Sequence, residues 1–345
     1  MAGRGDIFHI GGYTAHSDGR GTGIVAARRD PDTGELTSLG TVAVTASPSF
    51  LARHPTRPVL YAVSELPTGA VGAWRVGDDG DLTALGARPT GGAEPCHLAV
   101  APDGGYLFVA NYGGGSVTVL PLDPDGVPGE RTDLVQHQGH GPDPERQEQA
   151  HTHMVSPGAG HEPLLAVDLG TDSIYRYDLD AASGRLVPRA PRVRTTPGVG
   201  PRHLARHPDG RRLYVSGELD GSVLAYESTG DGALHLRGRV AASDRAGHVQ
   251  PSEIAVDADG RFLYLANRGV GTIAVFALGP GLPELVGEVE TGGEWPRHFV
   301  LTGGYLYVAD ERADMVRTFR VDREKGLPVP VGEPVAIPSP TCVLP

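Results

Sequence analysis

Three arginines have the type and placement that suit chemistry best: Arg202 in Gly200-Pro201-Arg202-His203, Arg268 in Asn267-Arg268, and Arg297 in Trp295-Pro296-Arg297-His298. A guanidinium fork matches the oxygens of a carboxylate or phosphate, so three of them at one opening invite an anionic ligand. His153 and Glu218 supply proton chemistry, because a positioned histidine and carboxylate acting as base and acid are worth about 10²–10⁴ in rate. His151 lies two residues before His153 in an extended segment, so the two side chains point the same way. Other readings stand beside these. The arginines can pair with Glu218, Glu253 or Glu311 and only hold strands together, and His153 can be a hydrogen-bonded polar residue at a channel lip. His151, Thr152, His153, Glu65, Asn111, Asp168 and Asp310 offer nitrogen and oxygen donors to a metal, but no spacing here is diagnostic of one; no metal and no cofactor is expected. A serine nucleophile lacks its Gly-x-Ser-x-Gly elbow, and Gly113-Gly114-Gly115 is a turn with no helix after it to make a phosphate loop.

The elements that position these residues are hairpins. In the stretch from Pro201 to Glu218, an alternating run (Arg202 to His207) is followed by a Pro-Asp-Gly turn and a second apolar run (Leu213 to Ser216). The pattern begins at Pro48, Pro95, Pro201, Pro251 and Pro296, and once more with Thr152 in the proline column. A third alternating run follows each hairpin, as in Ser116 to Leu120, Ser222 to Tyr226 and Thr272 to Phe276, and then a weaker fourth. Fragments of a seventh unit stand at the chain ends: Ile7 to Ile10, Gly23 to Arg28 and Leu36 to Val44 at one, and Pro340-Thr341-Cys342-Val343 at the other. Four-stranded units at a period of about fifty residues are the mark of a β-propeller. The expected fold is all-β, a seven-bladed propeller forming a single domain over 1–345, closed by a C-terminal inner strand that joins the N-terminal blade.

The register sorts positions by role. Three residues after the proline column stand Leu51, Leu98, Val155, Leu204, Ile254 and Phe299, which pack between blades. One residue after it stand Ser49, Cys96, His153, Arg202, Ser252 and Arg297, where the innermost strand enters the channel. The antiparallel second strand returns to the same mouth with Glu65, Tyr112, Leu169, Glu218, Arg268 and Glu311. His97, His203 and His298 fall in the next column, and alternation turns them to the other face as structural residues. The insertion from Asp133 to Gln149, with His137 and His140, joins two blades on the mouth side and is a candidate lid or a disordered connection.

Composition narrows the function classes. Fifty Gly and thirty Pro among 345 residues argue for many strands and turns. A net charge of −12 makes a nucleic-acid partner unsuitable, since phosphate-backbone binding needs a basic surface. Met1 to Thr14 lacks the basic start and apolar run of a secretory leader, and no run of 18 apolar residues occurs, so a cytoplasmic protein with no membrane partner is expected. Cys96 and Cys342 read as free thiols. Composition and motifs leave the oligomeric state open.

These repeats resemble the seven-bladed propeller lactonases, the family of the propeller-type 6-phosphogluconolactonase and the fungal carboxy-cis,cis-muconate cyclase. The resemblance runs from Gly11-Gly12-Tyr13-Thr14 to Pro340-Thr341-Cys342-Val343. It is most specific in His151-Thr152-His153, Asp168-Leu169-Gly170-Thr171-Asp172, Gly200-Pro201-Arg202-His203, Glu218-Leu219-Asp220 and Asn267-Arg268. It implies a lactone hydrolase with His153, Arg202, Glu218 and Arg268 as catalytic residues, acting on a small anionic lactone, with 6-phosphoglucono-δ-lactone of the pentose phosphate route the first substrate to expect. Arg297, His151, Glu65 and Tyr112 are expected to bind that substrate. The chain departs from the family in its third hairpin, where Ser156-Pro157-Gly158-Ala159-Gly160 replaces an Asp-Pro-x-Gly-Arg turn. Closure of a lactone on a carboxylated muconate uses the same arginines. A non-catalytic propeller that binds a partner across its face calls for an apolar mouth, unlike these polar columns.

Overall fold

The computed structural model describes residues 7–160, 162–229 and 232–345. Met1–Asp6, part of the stretch read for a leader, and His161, in the third hairpin, lie outside the described residues.

The strands form seven antiparallel sheets, six of them with chain-ordered strands. In the seventh, Pro340–Leu344 pairs with Ile7–Gly12, which continues to Gly23–Arg29 and Leu36–Val44. The chain ends thereby share one blade and the ring closes as expected. The third hairpin keeps its register despite its unusual turn: Thr152 faces Asp168 as Pro95 faces Asn111 and Pro296 faces Asp310.

Between neighbouring blades lie seven apolar wedges. Leu51, Leu98, Val155, Leu204, Ile254 and Phe299 are each at most 4% exposed, and each sits in a different wedge, as their column requires. Buried tyrosines tie blades together at the outer end. Tyr264 donates to the Gly326 carbonyl at 2.8 Å and Tyr307 to that of Gly34 at 2.9 Å, each in the following blade. Both glycines have positive φ, 72° and 77°. A Cβ at Gly34 would stand 2.3 Å from the Tyr305 ring, so the turn needs glycine twice over.

One irregularity sets the site. In six blades the innermost strand gains one residue against its partner just after the proline column. Pro95 and His97 face the consecutive Asn111 and Ala110, Thr152 and Met154 face Asp168 and Val167, and Pro296 and His298 face Asp310 and Ala309. Pro201, Pro251 and Pro340 show the same extra residue. Proline cannot donate to the ladder, which makes this the natural place for a bulge. In two of these blades both residues that follow the proline, Arg202 with His203 and Arg297 with His298, line the central cavity in place of simple alternation.

The consequence departs from simple alternation. His203 and His298 join the preceding column in lining the central cavity, and Phe50, His97, His203 and His298 meet there. Phe50 stacks on His97 at 4.1 Å between centroids. These rings fill the channel directly beneath the mouth.

Candidate active site

The mouth holds two arginine–carboxylate centres of opposite balance. In the first, Glu218 is 3% exposed and gathers three guanidinium groups. Arg268 Nη2 donates to its Oε2 at 2.8 Å, Arg146 Nη2 to its Oε1 at 2.5 Å, and Arg202 Nε lies 2.9 Å from Oε2, near enough for an ion pair though off the hydrogen-bond line. Gln250 Nε2 adds a bond to Oε1 at 3.0 Å. Burial alone would raise the pKa of Glu218; Arg268, Arg202 and Arg146 outweigh that and hold it well below the usual carboxylate range. Glu218 is thus a fixed anion with its oxygens occupied, and three cations on one carboxylate leave a surplus of positive charge.

In the second centre the balance is reversed. Arg297 contacts the Tyr13 hydroxyl and lies 3.5 Å from Glu311 Oε2. Tyr13 in turn donates to Glu65 Oε1 at 2.9 Å, while the Ser49 hydroxyl bonds the other Glu65 oxygen. Burial pushes the Glu65 carboxyl up, against the opposing pull of Arg297. Two carboxylates of unlike tendency, Glu218 kept ionised and Glu65 inclined to hold a proton, therefore face one opening.

His153 stands between the centres, on a cavity of about 10 Å³, room for about one water molecule, that it lines with Glu65, Cys96, Arg202 and Arg297. His153 is 6% exposed, and among the described residues its Nδ1 has no hydrogen-bond partner. Burial first, and then Arg202, His203 and Arg297, push its pKa well below 6.5, so the imidazole is neutral at pH 7. Arg202 Nη1 is also buried without a hydrogen-bond partner among the described residues. A neutral imidazole nitrogen and a guanidinium N–H, both unspent and on one cavity, are an acceptor for a proton and a donor for a developing anion.

The expected site residues do not all converge equally. Tyr112 forms part of the rim, its ring 5.6 Å from that of His153 and its hydroxyl within electrostatic reach of Arg146. His151 stacks on Tyr112 at 4.5 Å and turns both ring nitrogens outward, to the Tyr112 carbonyl and to Glu148 Oε1, each at 3.0 Å. It is outside the cavity lining. Asn111, Asp168 and Asp310 stand behind the mouth, engaged with Ser116 and Thr118, with His137 and Thr171, and with Thr291 and the Trp295 amide. Among the described residues no group of three or more His, Cys, Asp or Glu is placed to hold a metal ion. Cys96 and Cys342 are unpaired and buried, and burial pushes both thiols up, away from nucleophilic use.

Tyr13, Arg146 and Gln250 escape a reading by columns. Tyr13 had a signal: Gly12 faces Pro340 as Asn111 faces Pro95, so Tyr13 is the seventh member of the column that holds Tyr112, Glu218 and Arg268. Arg146 had none, since it arrives from the insertion, which is ordered. Asp133–Gln136 forms an outer strand and His137 is locked by Asp168 at 2.6 Å and by Tyr177 at 2.9 Å.

The model of the lactonase family with a seven-bladed β-propeller matches residues 7–345. The chain belongs to this family. A Bacillus subtilis relative named 6-phosphogluconolactonase is 33% identical over 346 residues, covering 98% of this chain and 97% of the relative. A relative of the same name from Formosa agariphila is 30% identical, covering 92% and 93%. The solved structure of a periplasmic gluconolactonase from Pseudomonas aeruginosa superposes with a TM-score of 0.91 at 30% identity, covering 98% of each chain. Lactone hydrolysis is the activity this lactonase family membership carries, and the mouth of this lactonase offers the groups such a reaction uses. The names of these relatives divide on one point, whether the lactone bears a phosphate.

Proposed function

We propose that this lactonase opens 6-phosphoglucono-δ-lactone to 6-phosphogluconate at the mouth built around Glu218, Arg202, Arg268 and His153. The observation that carries the reading is the surplus of positive charge around Glu218, which suits a substrate with an anionic group better than a neutral sugar lactone. The names of the Bacillus and Formosa relatives support it.

In the proposed reaction a water oxygen attacks the lactone carbonyl while its proton passes to the neutral His153 imidazole. Arg202, whose Nη1 is unspent, stabilises the tetrahedral oxyanion. The ring C–O bond then breaks, and the departing oxygen takes the proton back from His153, which returns to its neutral form. The product is an open hydroxy acid. Glu218 serves as the anchor that holds Arg202 and Arg268 in place. A substrate anion near Arg202 offsets the positive field on His153 and so raises its basicity when it is needed. Arg297 and Tyr112 contact the sugar, with His151 supporting the rim through Tyr112. A phosphorylated sugar substrate places the protein in the cytoplasm and in the pentose phosphate route; no helix among the described residues is long and apolar enough to cross a membrane.

The test is the rate of lactone opening followed by NMR for 6-phosphogluconolactone and gluconolactone, each against its spontaneous background. Rapid opening with preference for the phosphorylated substrate is expected. Opening of gluconolactone alone would replace the phosphorylated substrate by the neutral one.

A further inference from the structure

The positive surplus is not distributed evenly. Arg202 and Arg268 have side chains only 3% and 5% exposed; both pair with Glu218, and Arg268 also donates to the Gln250 and Pro251 carbonyls. Arg297 stands among Tyr13, Glu65 and Glu311, which absorb its charge. Arg146 differs from all three, because its side chain is 37% exposed while one nitrogen stays bound to Glu218. It is the guanidinium of this cluster that an incoming anion meets first.

The chain around Arg146 is built to hold it there. The Arg146 amide bonds Asp143 Oδ1 at 3.1 Å, closing a tight turn, and the neighbouring Gln147 is fully buried, its Nε2 on the Leu169 carbonyl at 2.8 Å. The Tyr112 hydroxyl lies within electrostatic reach of the guanidinium. Backbone and side chain are thus fixed, although the residue sits on an insertion. Fixing costs entropy that a mere surface ion pair does not recover. The arrangement makes sense if the guanidinium has a further partner to receive.

Resting on the lactonase reading above, we propose that Arg146 is the specificity residue of this site, the group that receives the substrate's phosphate and sets preference for phosphorylated over neutral sugar lactones. Arg202 and Arg268 lie deeper, at the reacting end, while Arg146 marks the solvent side, where the phosphate-bearing arm of a lactone whose carbonyl faces His153 extends.

The experiment compares wild type, Arg146→Ala and Arg146→Lys on 6-phosphogluconolactone and gluconolactone, with calorimetric binding of 6-phosphogluconate and gluconate as a readout independent of turnover. One charge-assisted contact predicts that Arg146→Ala lowers the ratio of kcat/KM for phosphorylated over neutral lactone by about 10- to 100-fold, mainly through KM, with partial recovery in Arg146→Lys. Binding of 6-phosphogluconate weakens by a similar factor, that of gluconate far less. An unchanged ratio, or equal losses on both substrates, overturns the assignment. If wild type opens neither lactone, the lactonase reading fails, and the calorimetric comparison still decides whether Arg146 recognises phosphate: equal affinity of wild type and Arg146→Ala for 6-phosphogluconate rejects it.

Discussion

Arg202 and Glu218 meet with Nε and Oε2 2.9 Å apart, both side chains 3% exposed, and they are brought together by one β-bulge. Pro201 faces Gly217, so Arg202 and Glu218 each follow a member of that pair, at the same end of two adjacent strands. The extra residue lets Arg202 and His203 both face the axis, where regular pleating would place only one of them.

Removing Arg202 tests what this contact does. Arg202→Ala is expected to lower kcat/KM by 100-fold or more, through loss of the oxyanion donor and of the pairing that holds Glu218, while the circular-dichroism spectrum stays that of a β-propeller. Steady-state kinetics with a thermal melt checks both halves. A rate within threefold of wild type would take Arg202 out of the reaction.

Glu218→Gln separates anchoring from proton transfer. Because Glu218 is held ionised far below its ordinary range, it does not titrate near the working pH, and the acid limb of the rate profile should survive the substitution while kcat falls. Disappearance of that limb in the variant would make Glu218 the base. The sign for stability follows from the same shift. A carboxyl with a depressed folded-state pKa contributes stability above its unfolded value, about 4.3, and loses it as pH falls through the folded one. Wild type should therefore lose stability relative to Glu218→Gln below about pH 4.5, measured by urea midpoints.

The buried histidines give a second pH dependence. Burial lowers His97, His153 and His203 well below 6.5 and His298 to about 4, so the unfolded chain binds more protons than the folded one once pH drops below about 6.5. Each contributes a slope of up to about 1.4 kcal/mol per pH unit, with stability falling as pH falls. Glu253, a raised carboxyl between His203 and His298, acts in the opposite sense. Replacing His153 with Asn should reduce the slope between pH 6.5 and 5 by one proton's worth, and cut kcat by about 10²–10⁴. An unaltered slope in denaturant titrations would mean that His153 is not kept neutral by the fold.

Closure predicts a different failure. Deleting residues 340–345 removes the inner strand of the first blade, exposes the pairing edge of Ile7–Gly12 and opens the wedge that holds Val343. Loss of cooperative unfolding is expected in a thermal scan, and an intact transition at the wild-type temperature would show that the ring does not depend on this strand.

Much of this was legible in the chain before its structure. The proline columns located the blades, the Thr152 register and the closing strand, because a period-two apolar pattern must repeat wherever each blade packs on the next. The mouth columns likewise brought Arg202, Arg268, Arg297, Glu218, Glu65 and His153 to one opening. Alternation places His203 and His298 on the wrong side of the strand because it assumes a regular ladder, whereas the bulge after proline breaks it. Tyr13 belongs to a column whose seventh member falls at the other end of the chain, where only the closing strand reveals it. Arg146 was beyond reach, since its place depends on Asp143, Gln147 and Leu169 folding an insertion that has no counterpart in the repeat.

The most direct measurement is the initial rate of 6-phosphogluconolactone opening, followed by NMR, for wild type and Arg202→Ala at equal concentration. The account predicts rapid opening by wild type and a rate near the spontaneous background for the variant. A wild-type rate equal to that background, or a variant as fast as wild type, would contradict it.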